Sequence, residues 1–161
     1  KLAALSSICA LLDQALPERE PQTAIFQATS AVFEVLHLAD DIDQWLPVYV
    51  RWEMGMLDAL GFGLALDKCA VSGVTAKLSY VSPRTGHGVH QDHAGPYKER
   101  LLSLPACLGG ATELDDELSS ALTLTGHFLS RNIFGAVHKE LPQPRIRLAY
   151  LVSSRYNNTS S

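Results

Sequence analysis

Cys69, His90 and His93 are the residues whose types and spacing could do chemistry. They stand in "CAVSGVTAKLSYVSPRTGHGVHQDH", residues 69–93, as two pairs: Cys69 with Ser72 three positions on, and His90 with His93 three positions on. Seventeen residues separate Ser72 from His90, and two such pairs about 15–20 residues apart have zinc-ribbon spacing. Zinc takes thiolate sulfur and imidazole nitrogen in tetrahedral geometry. Serine is not a normal ligand, so three of four positions match, and His87 is the nearest spare nitrogen. The bland alternative is a hairpin held by packing and turn chemistry, with Cys69 as a small buried apolar residue. The expectation is a knuckle that has outlived its ion: no cofactor, with zinc the one metal the spacing suits. The same three donors with an open coordination position would instead give a zinc-dependent hydrolase using Asp92 or Glu99 as base. No H-E-x-x-H, nucleophile elbow or phosphate-cradling glycine loop accompanies them, so a non-enzyme is expected.

The elements that must position these residues read as helices. Leu2, Leu5, Ile8, Cys9, Leu12 and Leu16 recur at helical spacing until "PEREP". Ile25, Ala28, Val32, Phe33 and Leu36 mark a second helix. Trp45, Tyr49, Trp52, Met56 and Leu60 mark a third, stopped by "GFG" at Gly61 to Gly63. Residues 64–95 lose the period and read as a small hairpin-like insertion. Trp45 and Trp52 share a face and should anchor the core, with Arg51 and Glu53 tying the third helix to that insertion. "PYKERLLSLPACL" reads as a short helix from Pro96. From Thr112, acidic residues open a helix whose stripe Leu114, Leu118, Ala121, Leu122, Thr125, Leu129, Ile133 and Val137 runs about seven turns. Pro142 and Pro144 close it, "RIRLAYLVSSRY" is a last short helix, and "NNTSS" is a tail. The predicted fold is mainly α, one domain over 1–161: a helical bundle with a hairpin or zinc-ribbon-like insertion at about 64–95.

Composition bounds the function. The 161 residues are 47% hydrophobic and 19% charged, ordinary for a globular domain. The net charge is −4, whereas a wide nucleic-acid-binding face is normally basic. Three widely spaced cysteines argue against a disulfide framework and fit a reducing cytosol. No apolar run is long enough to span a membrane. The chain opens on Lys1 inside a helical pattern, and a fragment lacking its N-terminal part is expected.

The stretch "YVRWEMGMLDALGFGLALDKCAVSG", Tyr49 to Gly73, followed by "YVSPRTGHGVHQDHAGPYKERLLSLPACL", resembles the C-terminal region of the bacterial RecO recombination mediator family. The carriers are the helix end "RWEMGMLDALGFGL", the cysteine pair position at Cys69, the "YVSPRTG" turn and the second pair position. The resemblance covers roughly 1–155. It departs where Ser72, His90 and His93 replace zinc cysteines, and where no N-terminal oligonucleotide-binding barrel is present. It implies DNA repair and recombination in the bacterial cytoplasm, at the nucleoid. The implied partners are single-stranded and double-stranded DNA, mainly through the absent barrel, the C-terminal tail of single-strand-binding protein, and RecR. Together these let RecA load, and complementary strands anneal, without covalent chemistry.

Two groups of residues are candidate contacts for such partners. Lys139, Arg145, Arg147 and Arg155, joined by Arg131, form the densest positive patch and are the expected phosphate contacts. A receptor for an acidic, apolar tail needs an apolar groove with a cation at its rim. Arg131, with Phe128 and Phe134 expected off the centre of the long stripe and therefore exposed, is the candidate wall.

Overall fold

The computed structural model describes residues 1–111 and 113–159, with side chains up to Tyr156. Helix α1 (Leu2–Ala15) buries Ala4, Ile8 and Leu11, spaced four and three apart on one face. It ends at Leu16, whose extended backbone (φ −88°, ψ 137°) is what a following proline imposes. Helix α2 (Thr23–Leu38) buries Ile25, Thr29, Val32 and Leu36 in the same rhythm. Helix α3 (Ile42–Ala59) opens with a capping box: Asp41 accepts from the Asp43 amide, and the Gln44 side chain accepts from the Asp41 amide. It closes where Gly61 takes φ 86° and Phe62 N–H reaches back to the Leu57 carbonyl at 2.8 Å, a left-handed cap that a side chain would strain.

Trp45, Leu46, Tyr49, Val50, Trp52, Met56 and Leu57 are all buried on α3, because it is the central helix. It packs against α2 on one side and against α5 (Glu117–Phe128) on the other, while α1 runs along α6 (Gln143–Thr159). The two tryptophans anchor the core as the pattern predicts, and the Trp52 indole N–H donates to Thr29 Oγ1 at 2.9 Å.

Between α3 and α5 lies a small lobe. Strand β1 (Leu78–Val81) is central in an antiparallel sheet of order β2-β1-β3, with β2 at Gly88–His90 and β3 at Leu102–Ser103. Tyr80 pairs with Val89 on one side and Ser103 on the other. A single turn of helix, α4 (Gln91–Ala94), and a 3-10 turn (Gly95–Arg100) link β2 to β3. The helix expected from Pro96 is therefore two 3-10 turns, the second at Ala106–Leu108, around a two-residue strand.

The long stripe is also interrupted. After α5 the chain makes a π-turn over Leu129–Phe134 and a 3-10 turn over Gly135–Val137. The wider i→i+5 turn rotates later positions, so Phe134 is buried while Val137 faces solvent. The expected start at Thr112 lies outside the described residues; α5 begins at Glu117. The last helix runs on through Asn157 and Asn158 to Thr159, into the expected tail.

Candidate functional site

Glu53 and Arg145 meet in the middle of the bundle, with 0% and 1% of their surfaces exposed. Arg145 Nε donates to Glu53 Oε1, and its Nη2 donates to Glu53 Oε2 at 3.0 Å and to the Leu122 carbonyl at 2.8 Å. The Tyr49 hydroxyl donates to Glu53 Oε1 at 2.8 Å. With that proton used, Ser7 Oγ must be the donor in its 2.7 Å contact to Tyr49. Thr125 Oγ1 donates to the other carboxylate oxygen. Burial, the largest single influence, lowers the guanidinium pKa, but the Glu53 charge, the Tyr49 hydroxyl and the hydrogen bond to Glu53 together outweigh it and raise it. Burial, then the Glu53 charge, pushes the Tyr49 hydroxyl well above its ordinary range. Four helices, α1, α3, α5 and α6, are thus joined through one carboxylate. Gly126 makes room: a Cβ there would stand 3.3 Å from Arg145 Nη2.

This corrects the expected phosphate cluster. Arg145 faces the core and cannot reach a polynucleotide. Arg155 stands 3.8 Å from Asp41. Lys139 and Arg147 are exposed. Arg131 is committed elsewhere: its guanidinium donates to the carbonyls of Pro83 and Arg84, and His127 lies 2.9 Å from the Pro83 carbonyl. Arg51 Nε donates to the Cys107 carbonyl at 2.9 Å, and the Cys107 amide donates to Glu117 at 2.6 Å. These side chains hold the lobe to the bundle through its backbone. Arg51 and Glu53, expected to tie α3 to the insertion at 64–95, do not: Arg51 reaches Cys107, beyond it, and Glu53 faces Arg145 in the core.

Phe128 and Phe134, expected to be exposed, are both buried. Phe128 lies on the same face as Ala121 and Thr125, and the π-turn brings Phe134 round to it. The space beside Arg131, lined by Phe62, Leu64, Arg84 and Phe128, amounts to about 210 Å³. A larger groove of about 900 Å³ lies between α1 and α6, lined by Leu2, Ala3, Pro144 and Leu151 with Lys1 and Arg147. No acidic side chain is among the described residues lining it. Leu2, read from its spacing as core, is 81% exposed there. Lys1 Nζ lies 3.9 Å from the exposed Asp40 carboxylate, a pair of little energy.

Cys69 is buried in the lobe, and the His90 amide donates to its sulfur at 3.2 Å. Burial pushes the thiol up. Hydrogen bonds from the Ser72 hydroxyl and from the His90, Ser72 and Val71 amides outweigh that and hold its pKa at about 6. Ser72 therefore acts on the sulfur as a donor. His90 caps α4, its Nδ1 accepting from the Asp92 amide at 3.1 Å, which leaves Nε2 carrying the proton in the neutral ring. His93 stacks edge-on against it at 5.5 Å. Among the described residues no three His, Cys, Asp or Glu side chains gather as a metal-binding group. As placed here, Cys69, His90 and His93 are not gathered as a tetrahedral donor set.

The family described as "Recombination protein O C terminal" matches residues 1–141. The chain belongs to this family. It is 49% identical over 154 residues to the DNA repair protein RecO of Rhodospirillum centenum, covering 91% of this chain and 58% of that protein. It is 46% identical over 157 residues to the RecO of Paracoccus denitrificans, covering 96% and 63%, and 44% identical over 150 residues to that of Hyphomonas neptunium, covering 91% and 60%. The chain thus spans about 60% of the length of these RecO relatives. No solved structure matches. No helix among the described residues is long and apolar enough to cross a membrane.

The signals for the two features that sequence reasoning missed are faint. Glu53 sits between Trp52 and Met54 on the apolar side of α3, four residues after Tyr49, where a carboxylate needs a buried partner. The α1–α6 groove announces itself only as apolar residues at both ends of the chain.

Proposed function

We propose that this chain is the partner-docking part of a bacterial DNA repair and recombination mediator, acting in the cytoplasm at the nucleoid without covalent chemistry. Its α1–α6 groove receives the acidic, apolar C-terminal tail of single-strand-binding protein. The observation that carries this is the groove itself: about 900 Å³, lined by Leu2, Pro144 and Leu151, holding Lys1 and Arg147 and no acid among its described lining residues. Apolar side chains of the tail would enter the groove, and its carboxylates would meet the two cations. Family membership and the relatives' names support the repair role. RecR and the loading of RecA belong to the same reading, as does annealing of complementary strands. The lobe keeps its shape without metal, its thiol served by N–H and O–H donors.

Fluorescence anisotropy of a labelled tail peptide tests the groove. Arg147→Glu should weaken binding about tenfold, the loss of one charged contact of about 1.4 kcal/mol. Arg131→Ala should leave affinity unchanged, because Arg131 holds the lobe. The reverse ranking would move the groove to Arg131 and overturn this placement.

A further inference from the structure

The charge of this protein is unevenly divided. Residues 64–111 carry Lys68, Lys77, Arg84, Lys98 and Arg100 against Asp67, Asp92 and Glu99, a net +2 that leaves −6 on the remainder. Three of the six histidines, His87, His90 and His93, lie there too. An acidic molecule with one cationic lobe orients a polyanion toward that lobe.

Within it, the 3-10 turn Gly95–Arg100 is exposed at every position. A 3-10 helix has three residues per turn, so Tyr97 and Arg100 stand on one edge, Lys98 on a second and Glu99 on the third. Tyr97 is 62% exposed, an aromatic residue presented largely to solvent. Lys98 Nζ lies 5.9 Å from the centre of the Tyr80 ring on β1, at the outer limit of a cation–π contact, and Lys98 is exposed. Lys77 is brought beside the start of α4, its carbonyl accepting from the Gln91 amide at 3.3 Å. An exposed aromatic face flanked by cations, on an otherwise acidic protein, is what a single strand uses: bases stack on the ring while phosphates meet the cations. Three of the bundle cations are poorer candidates, Arg145 being in the core, Arg131 bound to carbonyls and Arg155 beside Asp41, while Lys139 and Arg147 are exposed but have no aromatic flanking them in sequence.

We propose that the Gly95–Arg100 turn is a contact for single-stranded nucleic acid, with Tyr97 as the stacking platform and Lys98 and Arg100 as the phosphate contacts. This deepens the repair role above and rests on it; it is independent of where the protein tail docks.

The test is anisotropy of a fluorescein-labelled oligothymidylate with the whole 161-residue chain, repeated across a salt series. Tyr97→Ala should weaken binding about tenfold, and Tyr97→Phe should retain it. Lys98→Gln with Arg100→Gln should lower the slope of log affinity against log salt by about 1–2, as for two lost phosphate contacts. Lys139→Gln, on the bundle, should change neither. These positions are exposed, so circular dichroism should show each variant folded. Oligonucleotide binding undiminished in the Tyr97 and Lys98/Arg100 variants, or lost through Lys139→Gln alone, overturns the site while leaving the repair role standing. Equal loss in Tyr97→Phe and Tyr97→Ala overturns stacking. A chain that binds the acidic tail peptide and no oligonucleotide removes the site and confines the chain to protein docking.

Discussion

The bundle and the lobe hold themselves together by opposite means. In the bundle, side chains meet side chains across long stretches of sequence: Arg145 lies 92 positions from the carboxylate it serves. In the lobe, the main bonds run from backbone to backbone or from a bundle side chain to a lobe carbonyl, as Arg131, His127 and Arg51 show. A core built on one buried ion pair is sensitive to single changes there, since a buried charge without its partner is costly. The lobe buries Cys69, Leu78, Val81 and Leu104 on its inner side and carries cations and an aromatic on its exposed 3-10 turn. On the two proposals above, the lobe surface meets the oligonucleotide, whereas the bundle offers the α1–α6 groove to the protein tail.

The sharpest way to break that contrast is Glu53→Gln. It strands Arg145 in the core and should cost about 3–5 kcal/mol, read by chemical denaturation. Replacing both partners, Glu53→Met with Arg145→Met, should recover most of that loss, because an apolar pair carries no desolvation cost. A small effect of Glu53→Gln would mean that the pair is not what joins the four helices.

Next is a backbone change at Gly110, in the turn that follows β3. A Cβ at Gly110 would lie 1.8 Å from the Leu104 carbonyl oxygen, which cannot move away as a flexible side chain could. Gly110→Ala should destabilise the chain by about 1–3 kcal/mol, and hydrogen exchange should show the loss concentrated in β1 and β3. Loss spread evenly through α1 and α6 would mean that this turn supports the bundle as much as the sheet.

A smaller effect concerns Cys69. Its pKa is lowered in the folded chain to about 6 from an ordinary 9.0. The stabilisation from the hydrogen-bonded thiolate is therefore complete above the ordinary value, declines as pH falls, and is gone below about 6. The stability gap between the wild-type chain and Cys69→Ala should widen from pH 6 to pH 9. A gap that stays constant would mean the thiol is held neutral. The smallest effect is expected from chelation: dialysis against EDTA should leave the thermal midpoint and the exchange rates of the lobe unchanged. A clear drop would restore metal to it.

Much of this architecture was legible in the residues. The apolar rhythm of Ala4, Ile8 and Leu11, the two tryptophans of α3 and the "GFG" stop all report local physics, and they placed the first three helices. Arg145 was not legible, because a cation near a helix start reads as solvated until its partner is known, and that partner comes from another helix. Phe134 was missed because the stripe assumed an unbroken 3.6-residue period, which the π-turn at Leu129–Phe134 breaks. Strand β3 is two residues long and exists only as a partner for β1. The Cys69–Ser72 pair is visible in the sequence, but the His90 amide that donates to the Cys69 sulfur comes from 21 positions away and is not. The groove between α1 and α6 joins the two ends of the sequence, which no local pattern can show.

The division of labour is tested most directly by backbone amide chemical shifts of the labelled chain, titrated first with the acidic tail peptide and then with oligothymidylate. The account predicts two separate sets of shifts: Ala3, Ser6, Arg147 and Leu151 with the peptide, then Tyr97 to Arg100 with the oligonucleotide. Both ligands moving the same residues, or the peptide moving Phe62, Arg84 and Arg131 instead of the α1–α6 groove, would contradict it.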